Sequence, residues 1–204
     1  VFNEVLRDRC REDLQRKLEI RHRIATVQED KLEKPEQAVA TYRSILDEDG
    51  TFVPALKALE HLYTELDRPR DLIDVFERFV DASEDDEGRV SYLGKISITW
   101  EERLEDLPRA IDAQERILGI DADNGKALNN LARLCRSEGR WERLVEVLNH
   151  SIKLSDDGKE IIDHYLEIGE VYYRDIGKTD QAEQAYLAAL DFDPGSRDAL
   201  HALG

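Results

Sequence analysis

Three stretches of the chain coincide when the sequence is slid along itself by 72 residues, and no gap is needed to align them. Ala38, Ala110 and Ala182 fall together, as do Leu46, Leu118 and Leu190, then Asp49, Asp121 and Asp193. Ala55, Ala127 and Ala199 follow, then Leu56, Leu128 and Leu200, and last Leu59, Leu131 and Leu203. A fixed period of this kind means copies of one supersecondary unit, each covering its neighbour's apolar face. The period divides again. Ala38, Leu72, Ala110, Leu144 and Ala182 follow one another at steps of 34, 38, 34 and 38 residues, the size of a helix–turn–helix pair.

Within a unit the apolar residues keep helical spacing. Ala38, Tyr42, Ile45 and Leu46, and again Leu72, Phe76, Phe79 and Val80, follow the i, i+4, i+7, i+8 stripe. Strand alternation is nowhere sustained. Pro35, Pro69 and Pro108 stand where second helices should begin, because the missing proline N–H has no intrahelical partner there to lose. Breaks are expected at Asp49-Gly50, Asn124-Gly125 and Asp193-Pro194-Gly195, and at the acidic run Ser83-Glu84-Asp85-Asp86 with its counterpart Ser155-Asp156-Asp157-Gly158. The pattern predicts about ten helices in a single array. Its units run over roughly 1–10 (partial), 11–50, 51–84, 85–122, 123–156, 157–194 and 195–204 (partial). The match of Val1–Leu6 to Val75–Val80, and of Asp198–Leu203 to the start of a first helix, reads as a piece cut from a longer array.

These residues resemble the tetratricopeptide repeat family over roughly residues 10–204. Lys178 to Tyr186, Ala188-Ala189-Leu190 and Asp193-Pro194 match the family's second helix. Ile168, Gly169 and Tyr172 match the large, small and aromatic positions of its first helix, and Leu131, Ala132, Cys135 and Ile96, Ser97, Trp100 fill the same roles more loosely. Leu59, Glu60 and Tyr63 depart from the pattern, with Glu60 expected to crowd a close helix contact. The 38-residue units depart from a regular 34, so an extended first helix or a longer turn is expected in them. The resemblance implies an all-α, right-handed solenoid of antiparallel helix pairs, acting as a protein–protein interaction scaffold whose concave groove is lined by first helices.

Composition narrows the partner. With 29 basic against 46 acidic residues the net charge is −17, which opposes attraction to nucleic-acid phosphate or anionic lipid. No apolar run approaches the roughly 18 residues of a membrane span. Two cysteines, Cys10 and Cys135, cannot build a disulfide framework or a four-ligand zinc site. Free thiols and acidity fit a cytoplasm. His22, His61, His150, His164 and His201 have no second His or Cys at helical ligand spacing, and no phosphate loop or nucleophile elbow is present. The expectation is a protein without catalytic residues, cofactor or metal, whose partner is a protein or peptide. Cys135 and Trp100 read as core, Trp141 as the start of a second helix, and Glu84–Glu87 as a solvated turn.

One face collects unusual side chains. Lys126, Asn129, Asn130, Arg133 and Arg136 share spacings of three, four and seven, opposite Ala127, Leu128, Leu131 and Leu134. Residues 126–143 hold five basic and two acidic groups inside a strongly acidic chain. Neighbouring first helices add Lys57 and His61 on one side, Tyr173 and Arg174 on the other. This face is the candidate groove for an acidic or carboxylate-bearing peptide, since arginine's planar fork accepts a carboxylate through two hydrogen bonds. If it is a solvated groove, reversing Arg133 and Arg136 to glutamate should leave melting nearly unchanged. Lys126 and Asn130 occupy places comparable to the carboxylate-binding residues of the family, without its full set in successive repeats. Other readings stay open at this point. They are a solvated helix face, a regulatory segment of a larger enzyme such as a kinase, a half-repeat RNA-processing scaffold, and self-association through exposed repeat ends.

Overall fold

The computed structural model describes residues 2–203, with side chains from Arg9 onward. The elements are α1 (Phe2–Asp30), α2 (Pro35–Glu48), α3 (Val53–Glu65), α4 (Pro69–Ala82), α5 (Asp86–Ile98), α6 (Leu107–Ile120), α7 (Gly125–Glu138), α8 (Trp141–Leu154), α9 (Gly158–Val171), α10 (Thr179–Phe192) and α11 (Arg197–Leu203). One π turn, Thr99–Arg103, follows α5 and a second, Tyr172–Ile176, follows α9. There is no strand among the described residues, and the protein is all-α. Arg197–Leu203 closes into a helix of its own, one more than the ten anticipated. The helices gather into two compact lobes, Val1–Thr99 and Trp100–Gly204. The side chains of Val1–Leu6, with their resemblance to a second helix, lie outside the described residues.

The alternation of 34 and 38 has a simple origin. All five second helices, α2, α4, α6, α8 and α10, are 14 residues long. The first helices differ. α3 and α7 have 13 and 14 residues, whereas α5 and α9, of 13 and 14, each run on into a five-residue π turn. Longer units therefore carry a lengthened first helix.

The turn from first to second helix is built the same way each time. One residue takes a left-handed conformation: Glu33 (φ 50°), Asp67 (52°), Glu105 (52°), Gly139 (71°) and Gly177 (76°), spaced 34, 38, 34 and 38 apart. The following N–H then reaches back to a carbonyl near the end of the first helix, as from Arg68 to Tyr63 (2.9 Å), Arg140 to Cys135 (2.9 Å) and Lys178 to Tyr172 (2.8 Å). This closure satisfies carbonyls that the helix end leaves orphaned. Only two of the five positions hold glycine, so turn chemistry alone hides three of the turns. In the other direction, second to first, the turns are capped by side chains. Asp85 accepts from Gly88 N–H (2.6 Å), Asn124 from Ala127 N–H (3.0 Å) and Asp157 from Lys159 N–H (2.9 Å).

Each lobe buries its own core. In the first, Leu18, Tyr42, Ile45, Leu56, Leu59, Leu62 and Leu93 are shut away from solvent. In the second, Ala110, Ile111, Leu128, Leu131, Leu134, Cys135, Leu144 and Ile168 form one cluster, with Trp100 and Trp141 half-buried against it. Ala25, Ser97 and Gly169 share one register position and are all buried. At Gly169 the reason for smallness is direct, because an added Cβ would sit 2.4 Å from the Tyr186 ring. Glu60 does not crowd its contact. Its carboxylate swings to the Lys95 ammonium at 2.7 Å, and that ammonium also lies 4.9 Å from the centre of the Tyr92 ring and 5.2 Å from that of Phe76.

Candidate groove on the first helices

On α7 the helical period does as anticipated. Ala127, Leu128, Leu131 and Leu134 are buried; Lys126, Asn129, Arg133 and Arg136 are exposed and Asn130 is half-buried. The two arginines are not free, however. Arg133 grips Glu101 on the first π turn with both prongs, Nη1 to Oε1 at 2.5 Å and Nη2 to Oε2 at 2.7 Å. That hydrogen bonding holds the Glu101 carboxyl below the usual carboxylate range and raises the Arg133 guanidinium. Arg136 donates from Nε to Glu167 of α9 at 2.8 Å, and its Nη2 donates to the same oxygen. Glu101 and Glu167 thus already occupy the carboxylate sites that these arginines offer. Lys126 and Asn129 remain exposed beside them.

In the first lobe, Lys57 and His61 are exposed on α3. His61 lies between two carboxylates, with Nδ1 3.7 Å from Glu29 of α1 and Nε2 3.6 Å from Glu65. Moving 72 residues on from Glu29 and His61 leads to Glu101 and Arg133, so the two pairs are one contact made twice.

Tyr173 and Arg174 come from the second π turn, which aims them outward. They line a cleft of about 530 Å³ between α9, α10 and α11, together with Leu166, Glu170, Tyr186, Asp198 and His201. Tyr173 is 61% exposed. Arg174 pairs with Glu170 one turn back on its own helix, and both side chains are at least half in solvent. Burial raises the Tyr186 hydroxyl at the floor of the cleft. The nine candidates divide between the two lobes. Lys57 and His61 belong to the first lobe. In the second, α7 offers a strip whose arginines are tied down, and Tyr173 and Arg174 open onto a cleft. Sequence reading missed Glu101, Glu167 and His201. The 72-residue register carries the signal, because Tyr173 stands where Glu29 and Glu101 stand in the other copies.

Two models described as tetratricopeptide repeat match the chain, one over residues 55–90 and 127–160 and the other over 163–196. The chain belongs to the tetratricopeptide repeat family. That fold supports a scaffold for protein–protein interaction. Among solved structures it is similar to YrrB, described as a tetratricopeptide repeat protein with an unusual peptide-binding site, at 18% identity over 90% of each chain (TM-score 0.46). MamA is similar at 22% identity over 87% of this chain and 92% of that one (TM-score 0.46). A thermophilic tetratricopeptide repeat protein of Thermus thermophilus is similar at 17% identity over 91% and 98% (TM-score 0.38). No curated protein matches the sequence.

Proposed function

We propose that this tetratricopeptide array is an interaction scaffold whose second lobe takes an acidic or carboxylate-bearing peptide in the cleft beside Tyr173. The observation that carries this reading is the exchange at one register position. Glu101 is held in place by Arg133, and Glu29 stands 3.7 Å from His61, whereas the third copy places an exposed tyrosine ring at the mouth of a cleft. An aromatic wall with two χ angles offers contact area at low entropic cost. Arg174 supplies positive charge, and the His201 ring offers an N–H donor. The Arg174–Glu170 pair is solvent-exposed and local to one helix, worth at most about 1 kcal/mol, so a ligand carboxylate can replace Glu170. Arg133 is different, because releasing it breaks a two-pronged pair. The peptide therefore reads Tyr173, Arg174 and His201, with Lys126 and Asn129 extending the track along α7.

Binding to acidic and free-carboxylate peptides at low salt tests this directly. Tyr173→Ala with Arg174→Glu should abolish selective binding while melting stays within about 0.5 kcal/mol of the parent. Binding that survives that change, or that fails only when Arg133 and Arg136 are reversed, would return the site to α7.

A further inference from the structure

At the floor of the cleft beside Tyr173 stands a hydroxyl whose counterpart in the first lobe is bound to a carboxylate. Tyr42, Gln114 and Tyr186 share one register position, 72 residues apart. The Tyr42 hydroxyl donates to Glu29 Oε2 at 3.1 Å and lies 3.2 Å from Thr26 Oγ1, so the chain's own acid closes that site. In the middle copy Gln114 replaces the tyrosine, and Glu101, the counterpart of Glu29, goes to Arg133. In the third copy the tyrosine returns, but the counterparts of Thr26 and Glu29 are Glu170 and Tyr173. Both stand within the chain, so the change is one of residue type. The Tyr186 side chain makes no hydrogen bond among the described residues, although it is only 8% exposed. A polar group this buried is ordinarily hydrogen-bonded. Its ring is fixed against α9, where a Cβ at Gly169 would sit 2.4 Å from it.

We propose, resting on the reading of this cleft as a peptide site, that Tyr186 is the residue that selects the ligand's carboxylate. Its hydroxyl donates to a ligand carboxylate that takes the place Glu29 fills in the first copy, and Arg174, which lines the same cleft, is the second donor. Glu170 and Asp198 line the cleft too, so a carboxylate drawn only by charge would be opposed there. One that reaches the floor gains a directional, charge-assisted hydrogen bond where solvent hardly enters, and such bonds are roughly twice as strong as those between neutral groups. A carboxamide of the same shape still accepts from the hydroxyl, but without that charge. Reaching a hydroxyl this buried takes a group at the tip of a side chain or at a chain end. The ligand class is therefore a peptide carboxylate inserted tip-first past Tyr173, from a glutamate side chain or a C-terminus.

Titration calorimetry at low salt on the whole chain and on Tyr186→Phe tests this with three acetylated peptides of one otherwise neutral sequence. The first has a free C-terminal carboxylate, the second is amidated with a single glutamate, and the third is amidated with glutamine in its place. Phenylalanine keeps the ring against Gly169 and removes a hydroxyl that has no internal partner, so melting should not change. The parent should bind a carboxylate peptide about tenfold tighter than the glutamine peptide. Tyr186→Phe should lose about tenfold for that carboxylate peptide and less than about threefold for the glutamine one. The carboxylate peptide that responds identifies the source, chain end or acidic side chain. A carboxylate preference that persists in Tyr186→Phe but disappears in Tyr173→Ala with Arg174→Glu overturns the role of Tyr186 and leaves the cleft standing. A parent that binds none of the three overturns the cleft reading and this assignment together. A Tyr186→Phe variant that melts lower also overturns it, because the hydroxyl would then serve the fold.

Discussion

In the first lobe Arg43 of α2 lies 3.9 Å from Asp71 of α4; seventy-two residues later, in the second lobe, Glu115 of α6 meets Arg143 of α8 at 3.0 Å. The positions are the same and the charges have changed places. The first-helix face shows a related exchange. Lys95 pairs with Glu60, while its counterpart Glu167 pairs with Arg136, one helical turn from the counterpart of Glu60. The third case keeps its polarity, as Glu29–His61 becomes Glu101–Arg133. The repeat backbone brings two particular side chains together, and electrostatics asks only that they be opposite. Identity at a fixed shift therefore detects the buried alanines and leucines, which must match in volume, and passes over surface pairs that match only in sign.

The largest change should come from the layer where the lobes agree. Leu131→Asp in the second lobe, or its counterpart Leu59→Asp in the first, buries a carboxylate without a partner and should cost about 4 kcal/mol or more, read as loss of helical circular dichroism. Where the lobes differ in size at one position, the effect should differ too. Gly169→Val drives atoms into the Tyr186 ring and should cost about 2 kcal/mol in chemical denaturation, while Ala25 already holds a Cβ at the equivalent site.

One group in each lobe illustrates the pH dependence. Tyr42, buried in the first lobe, has its hydroxyl pushed up to about 12, chiefly by desolvation. The unfolded tyrosine loses its proton first, so stability from this group is full below about pH 10 and falls as pH climbs toward 12. In the second lobe Glu101 is held low by Arg133, so its contribution is present above the unfolded carboxylate range and is lost as pH falls through the folded one. Thermal melts of a Tyr42→Phe variant should lack part of the alkaline loss, the rest coming from Tyr63 and Tyr186, which burial also raises, and melts of Glu101→Gln should lack part of the acid loss.

Smaller effects sharpen the charge comparison. Arg133→Glu opposite Glu101 should cost roughly 1 kcal/mol, and adding Glu101→Arg should restore it, as a double-mutant cycle would show. These pairs correct the expectation that reversing Arg133 and Arg136 leaves melting unchanged. His61→Arg, which gives the first lobe the residue of the second, should gain at most about 0.5 kcal/mol and lose it at high salt. Glu105→Gly relieves a left-handed residue at a turn where Gly139 and Gly177 already serve, for a gain of about 0.5–1 kcal/mol.

Much of the helical layout was legible in the chain because burial and helix punctuation are local and periodic. Ala38, Tyr42, Ile45 and Leu46 are buried as their spacing implies, and Pro35, Pro69 and Pro108 open second helices. The extra length of the longer units was legible, but its form as a π turn was not, since that rests on a one-residue shift in backbone hydrogen bonding. The left-handed turn at Glu33, Asp67 and Glu105 was hidden because packed helices on either side override the local preference for glycine. On the groove, the helical period correctly placed Arg133 and Arg136 at the surface. Whether they were free depended on Glu101 and Glu167, each more than 30 residues away. Periodicity along one helix decides which way a side chain faces; what it meets there is decided by the neighbouring repeat, because an ion pair needs two groups within a few ångströms and only the folded chain sets that distance.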